Sequence, residues 1–385
     1  MRKANAIGAA VVFLIAAALV SALVGAAGLN PLATAAALAD KIPFVHLPSS
    51  LSTLDRAILF QIRLPRVVLG ALVGGLLAMA GAGYQGVFRN PLVDSGLLGA
   101  SAGAGLGATL AIVYLGAGRP SAVPAAAFVG SLAGVAAAYL TGAAASRHTS
   151  LSDGVATLLL AGIAVGSFLT AVQTFILQRA SQDVQAVYSW LLGSLSGATW
   201  QQVASILPYA AVSTVVVLLH GRHLDVLAVG DEEARALGMR PAATRGIVVA
   251  ACSLAAASAV AVSGLIGFVG IIVPHVARRL AGPSYRSVLP LSLLIGAGFL
   301  VLADTLARTV LAPATRRATC GTTIPTNPIR PLTAPALAAA SEHAATTVPR
   351  MAAGRIPSAR ASSSPTASTS RCLPCSSTAT VLTAA

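Results

Sequence analysis

The stretch IGAAVVFLIAAALVSALVGAAGL, residues 7–29, decides the fold class. It runs 23 residues without a charged side chain, and a helix needs about 20 apolar residues to cross the hydrocarbon core of a bilayer. Arg2 and Lys3 precede it, as in a signal peptide. The run is too long for a signal-peptide core of about 7–15 residues, and more apolar runs follow it. It therefore reads as the first membrane helix, with the N-terminus on the cytoplasmic side by the positive-inside rule.

Working outward, further spans are expected near Val67–Gly83, Gly96–Leu115, Val123–Ala143, Val155–Leu177, Val203–Leu219, Gly246–Val262, Leu265–Val276 and Val288–Leu306. The expected fold class is all-α: a polytopic membrane helical bundle of nine spans. Alternation from an inside N-terminus leaves eleven Lys and Arg in inside segments and seven in outside ones, which agrees with the orientation.

Composition excludes most other classes. Of 385 residues, 56% are hydrophobic and 9% charged, against about 25% charged in soluble domains. A chain this apolar cannot cover itself with polar surface in water. In lipid the backbone must satisfy its own hydrogen bonds, which leaves helices or closed barrels, and runs of this length are helical. The net charge of +14 does not mark a nucleic-acid binder: aromatics are 4%, and the basic residues are scattered between apolar runs without stacking partners. Cys372 and Cys375 form a CxxC, but no second pair or His cluster stands at zinc spacing. No metal site is expected.

Small residues recur at four-residue spacing: Gly70 with Gly74, then Gly99, Gly103 and Gly107. Such stripes let helix backbones approach closely where no hydrophobic effect drives association. Tight packing is the plain reading, and faces that slide during transport the sharper one. Charges are nearly absent inside the spans, which argues against a proton- or sodium-coupled carrier. Asp304 has Arg308 one helical turn on, so a paired helix end is expected there. Gly81-Ala-Gly-Tyr-Gln-Gly86 fits GxGxxG but follows an apolar span rather than a strand, and no GxxxxGK[ST] loop exists, so the chain is not expected to bind nucleotide itself.

The most informative polar stretch is Leu227-Ala-Val-Gly-Asp-Glu-Glu-Ala-Arg-Ala-Leu-Gly-Met-Arg-Pro241. Gly230 and Asp231 suit a helix start, with Asp231, Glu232 and Glu233 at its positive end. Gly238 suits its stop. A short inside helix is expected, its acids and Arg235 forming either a docking surface or a solvated loop face.

This loop resembles the coupling helix of the iron-siderophore, haem and vitamin B12 family of ABC importer permeases, whose Gly-Glu/Asp-x-x-Ala-x-x-Leu-Gly pattern matches Gly230, Asp231, Ala234, Leu237 and Gly238. Five further motifs follow the family's order: Arg63-Leu-Pro-Arg66; Gln85-Gly-Val-Phe-Arg-Asn-Pro-Leu92 with Gly96-Leu-Leu-Gly99; Trp190-Leu-Leu-Gly-Ser-Leu195; Gly264 to His275 with Ala277-Arg278; and Ala303-Asp-Thr-Leu-Ala-Arg308. The resemblance implies an inner-membrane permease subunit for iron–siderophore complexes, with haem or cobalamin as alternatives and an ATP-independent carrier as a more distant one. It also implies a second permease copy, two ATPase subunits that use ATP and Mg, and a periplasmic or lipid-anchored binding protein. On this reading the chain is not an enzyme and binds no cofactor. Arg63, Arg66 and Arg308 map onto family arginines that meet acids of the binding protein; as residues alone they also suit interface anchors.

The resemblance extends over most of residues 1–313, the expected permease domain. Residues 314–385 hold seven Arg and one Glu, no Phe, Tyr or Trp, and no long apolar run. They read as a low-complexity tail in place of the family's tenth span. The abrupt change suggests a frameshift near codon 314, which translation of the other two frames would reveal.

Overall fold

A computed structural model describes residues 2–25, 29–40, 50–116, 121–148 and 154–310. The described residues contain helices and no strand. In chain order the helices are α1 (Arg2–Leu23), α2 (Pro31–Ala39), α3 (Thr53–Ala57), α4 (Leu64–Phe88), α5 (Ala100–Leu110), α6 (Ala122–His148) and α7 (Gly154–Arg179). Then come α8 (Val184–Leu191), α9 (Trp200–Leu219), α10 (Gly221–Val229), α11 (Asp231–Ala236), α12 (Pro241–Ser263), α13 (Val269–Ala281) and α14 (Tyr285–Val310). A π-helical stretch, Ile58–Arg63, joins α3 to α4 without a break. The expectations for residues 314–385 lie outside the described residues.

Seven helices among the described residues are long and apolar enough, by length and composition, to cross a membrane, against the nine spans expected from sequence. Two expected spans fall short. Gly96–Leu115 opens as a 3-10 turn, Ser95–Leu98, bends at left-handed Gly99 and leaves the shorter apolar helix Ala100–Leu115. Leu265–Val276 begins as a loop: Gly264 and Phe268 both have positive φ, so helix starts only at Val269 and runs to Ala281, with Arg278 and Arg279 in its last turn. An apolar run measures hydropathy and carries no signal for where the backbone breaks; such breaks are tolerated at membrane depth where protein covers them.

Helix α4 is the axis. Of the apolar window on the helix that contains it, 83% is buried, against 72% for α12, 56% for α14 and 17–28% for α1, α6, α7 and α9. The outer helices present apolar faces such as Phe168 and Phe175, which suits lipid as solvent. Buried polar groups on the axis are satisfied internally. Tyr84 and Ser253 share a 2.8 Å hydrogen bond between α4 and α12, and Gln85 Nε2 donates to the Gly270 carbonyl at 3.0 Å.

The glycine stripes lie at helix crossings. A Cβ on Gly74 would overlap the Gly296 carbonyl of α14, and Gly99, Gly103 and Gly107 meet the backbone at Gly134, Gly130 and Ala126 of α6. Gly70 instead faces the Leu195 side chain. Gly81, Gly83 and Gly86 sit inside α4 against Gly270, Cys252 and Tyr285, so the GxGxxG spacing is a packing feature of a helix.

Candidate functional site: the two polar ends of the bundle

Helix α4 has 25 residues, about 37 Å at 1.5 Å per residue, and each of its ends carries a cluster of charge. At its start three arginines converge. Arg66 grips Asp304 with two groups: Nε lies 2.9 Å from Oδ2 and Nη2 2.6 Å from Oδ1. Arg308 Nε lies 3.2 Å from Asp304 Oδ2, an ion-pair distance without hydrogen-bond alignment. The Asp304–Arg308 pairing expected from spacing is therefore present, and Arg66, 238 positions away, makes the stronger contact. A two-pronged arginine–carboxylate pair is both directional and charge-assisted.

Arg63 and Arg308 also close the end of α1. Arg63 Nη1 donates to the carbonyls of Ala22 (3.0 Å) and Leu23 (3.4 Å). Arg308 Nη2 donates to the Ser21 carbonyl at 3.1 Å. The last carbonyls of a helix have no partner within it, and cations are favoured there. Arg63 is 4% exposed, whereas the Arg66 side chain is 21% exposed. The three arginines that look alike in sequence thus differ: Arg63 is buried in the scaffold, Arg308 bridges, and Arg66 lies nearest the surface.

The opposite end holds the loop singled out by sequence. Its short helix forms as α11, Asp231–Ala236. Gly238 supplies the left-handed residue that stops it, with φ +76, and the Met239 amide donates back to the Ala234 carbonyl at 3.0 Å. Ala234 is buried against the bundle, while Glu232, Glu233, Arg235 and Leu237 are exposed. Asp231 turns inward. Both its oxygens accept from Arg245 of α12, Oδ2 from Nη1 at 2.7 Å and Oδ1 from Nη2. Arg89, beyond α4, donates to Oδ1 at 3.2 Å. The expected exposed acidic face is thus carried by Glu232 and Glu233, with Asp231 held beneath it.

The hydrogen bonds from Arg245 hold the Asp231 carboxyl below the ordinary carboxylate range, burial opposes them, and Arg245, Arg89 and Arg235 add by charge. A depressed folded-state value means this pairing contributes stability above the unfolded value, about 3.9, and loses it as pH falls through the folded value. Asp94 behaves oppositely. Burial pushes its carboxyl up, against hydrogen bonds from the Ser95 amide and hydroxyl, and its Oδ1 fills the place a Cβ on Gly270 would take.

Arg89, Arg245 and the Gln85–Arg278 pair were missed as functional partners by sequence. Gln85 Oε1 accepts from Arg278 Nη2 at 2.6 Å. A cavity of about 210 Å³ opens beside them, lined by Gln85, Arg89, Asn90, Pro91, Ala228, Arg278 and Tyr285. The one signal available was that Arg89 and Arg278 fall inside family motifs. Among the described residues no group of three or more His, Cys, Asp or Glu could hold a metal.

A bundle of apolar helices with a short charged helix at one end and an arginine–carboxylate knot at the other is the architecture of a multi-pass membrane protein. The chain belongs to the FecCD transport family, whose model matches residues 13–324. It is 42% identical to a cobalamin import system permease protein of Halobacterium salinarum, over 66% of this chain and 67% of that protein. It is 38% identical to an Fe(3+)-citrate import system permease protein of Bacillus subtilis, over 66% of this chain and 75% of that protein. Among solved structures it is similar to an inward-facing conformation of a metal-chelate type ABC transporter. There the TM-score is 0.67 and the identity 26%, over 80% of this chain and 91% of the other.

Proposed function

We propose that this chain is the membrane-spanning permease subunit of an ABC importer that carries iron–siderophore complexes across the inner membrane. It works as a pair of permeases with two ATPase subunits, which bind and hydrolyse ATP with Mg, and with a periplasmic or lipid-anchored binding protein. The observation that carries this reading is α11: a short helix between two spans, anchored at Asp231 and Ala234 and presenting Glu232, Glu233, Arg235 and Leu237 outward. The end of α1 meets Arg63 at the start of α4, so the first turn of α1 lies at the end where α11 sits. On this reading the N-terminus is cytoplasmic and the arginine knot faces the periplasm. A second reading, cobalamin or haem as cargo, is favoured by the higher identity to the cobalamin relative.

Proteoliposomes holding this chain, with and without the ATPase subunit, test the proposal. Ferric siderophore presented on its binding protein should accumulate only with the ATPase and ATP. Accumulation without the ATPase overturns the reading, and accumulation of cobalamin or haem alone moves it to the second one.

Of Arg63, Arg66 and Arg308, the three arginines expected to dock the binding protein, we assign the contact to Arg66, the most exposed. The pair of reversals Arg63→Glu and Arg66→Glu would also break the cap on α1, so Arg66→Gln is the cleaner variant. It should weaken capture of the loaded binding protein about tenfold, ~1.4 kcal/mol, with the loss shrinking at high salt. Unchanged capture in a pull-down counts against the role.

A further inference from the structure

The Asp231 carboxylate joins three elements that are distant in the chain. Arg245 of α12 holds it with two parallel hydrogen bonds, and Arg89 at the end of α4 adds a third. Arg89 is one of two described residues other than glycine with positive φ, at φ 50 and ψ 31. Non-glycine residues in this region are uncommon, and they persist where surroundings impose them. Here the left-handed turn ends α4 and brings the guanidinium to α11. One turn back, Gln85 is tied to the Gly270 carbonyl and to Arg278, both of α13. The Arg89 amide donates to the Gln85 carbonyl, so the last turn of α4 carries one polar contact to α11 and others to α13, while Arg245 links α11 to α12. Arg89 and Arg278 border the cavity described above.

The same charges say what the cluster does not do. The side chains of Asp231, Arg245 and Arg89 are 28%, 19% and 36% exposed, and partly exposed ion pairs contribute little to stability. A two-pronged arginine pair does fix distance and angle between the elements it joins. The value of this cluster is therefore geometric.

We infer that Asp231 is a positioning residue: it locks α11 to α4 and α12, so that force on the exposed face of α11 moves two spans rather than bending a loop. This rests on the reading of α11 as the motor-facing helix. Glu232, Glu233, Arg235 and Leu237 meet the motor, and Asp231 passes the motion on. Coupling of this kind needs a demonstrated energetic link as well as contact.

The test uses the assembled transporter with Arg245→Gln, Arg245→Lys and Arg89→Gln. Three quantities are read: capture of the ATPase subunit, ATP hydrolysis, and substrate taken up per ATP. Capture and hydrolysis should stay within about twofold of wild type, while uptake per ATP falls about tenfold in Arg245→Gln, a coupling in the ordinary range. Arg245→Lys, which keeps the charge but loses the fork, should recover part of it. The melting temperature should stay near that of wild type. Asp231→Asn, which weakens the hold of both arginines, should match the double variant Arg245→Gln with Arg89→Gln, because both remove the same interactions. Unchanged uptake per ATP overturns the inference, as does a fall in melting temperature that accounts for the whole loss of uptake. A wild-type chain that captures no ATPase overturns the function reading, and this inference with it.

Discussion

Replacing residues 230–237 with a flexible Gly–Ser linker of equal length is expected to reduce ATP-dependent uptake to background, about a hundredfold or more. That is the upper end of ordinary coupling free energies of ~1–3 kcal/mol. The expectation follows from how little else α11 does. Its own contribution to the core is Ala234, and the spans on either side, α9 and α12, are complete without it. The altered chain should therefore still insert and run as a single species in detergent. What disappears is the rigid outward face of Glu232, Glu233, Arg235 and Leu237 together with its anchor at Asp231. Uptake that persists with the linker in place would remove the coupling role from this helix.

The second large effect concerns the bundle itself. Gly74→Leu is expected to abolish a well-folded chain or lower its melting temperature sharply. A side chain at position 74 must occupy the space of the Gly296 carbonyl and the Leu300 side chain on α14. The neighbour on one side is backbone, which cannot rotate away, so the two helices must separate. Overpacking typically costs about 1–3 kcal/mol, and separation of two helices along a whole crossing adds lost contacts to that. Gly103→Leu, facing the Gly130 carbonyl, should behave alike. Gly197→Leu has nothing within 4 Å of the added carbon and should melt with wild type. Equal melting temperatures for all three variants would show that close helix approach at these glycines is not needed.

The fold class was readable because membrane helices depend on two local properties, length and apolarity, and both are written in consecutive residues. The span count was less readable. Leu265–Val276 is apolar but for His275, yet Gly264 and Phe268 interrupt the backbone there. Hydropathy carries no signal for a left-handed phenylalanine. The short helix after Gly230 was legible from its own start and stop residues. Its partners were not: Arg89 stands 142 positions from Asp231, and nothing in the loop says which arginine returns to it. The arginine knot shows the same limit. Arg63 and Arg66 are three residues apart and look equivalent. The π-helical turn that ends at Arg63 is followed by α4, and Arg63 reaches the end of α1 while Arg66 reaches Asp304. Whether an arginine serves scaffold or surface depends on that geometry, which local composition does not encode.

The closure of α1 by Arg63 and Arg308 has a consequence for biogenesis. The ribosome delivers the first helix to the membrane long before position 308 exists. Until then the Ser21 carbonyl lacks its guanidinium, and only lipid, water or the insertion machinery can attend to it. Among the described residues, the first helix is thus finished by the last. A nascent chain halted before Arg308 should hold α1 loosely and expose it to membrane proteases, while release just past that point should protect it.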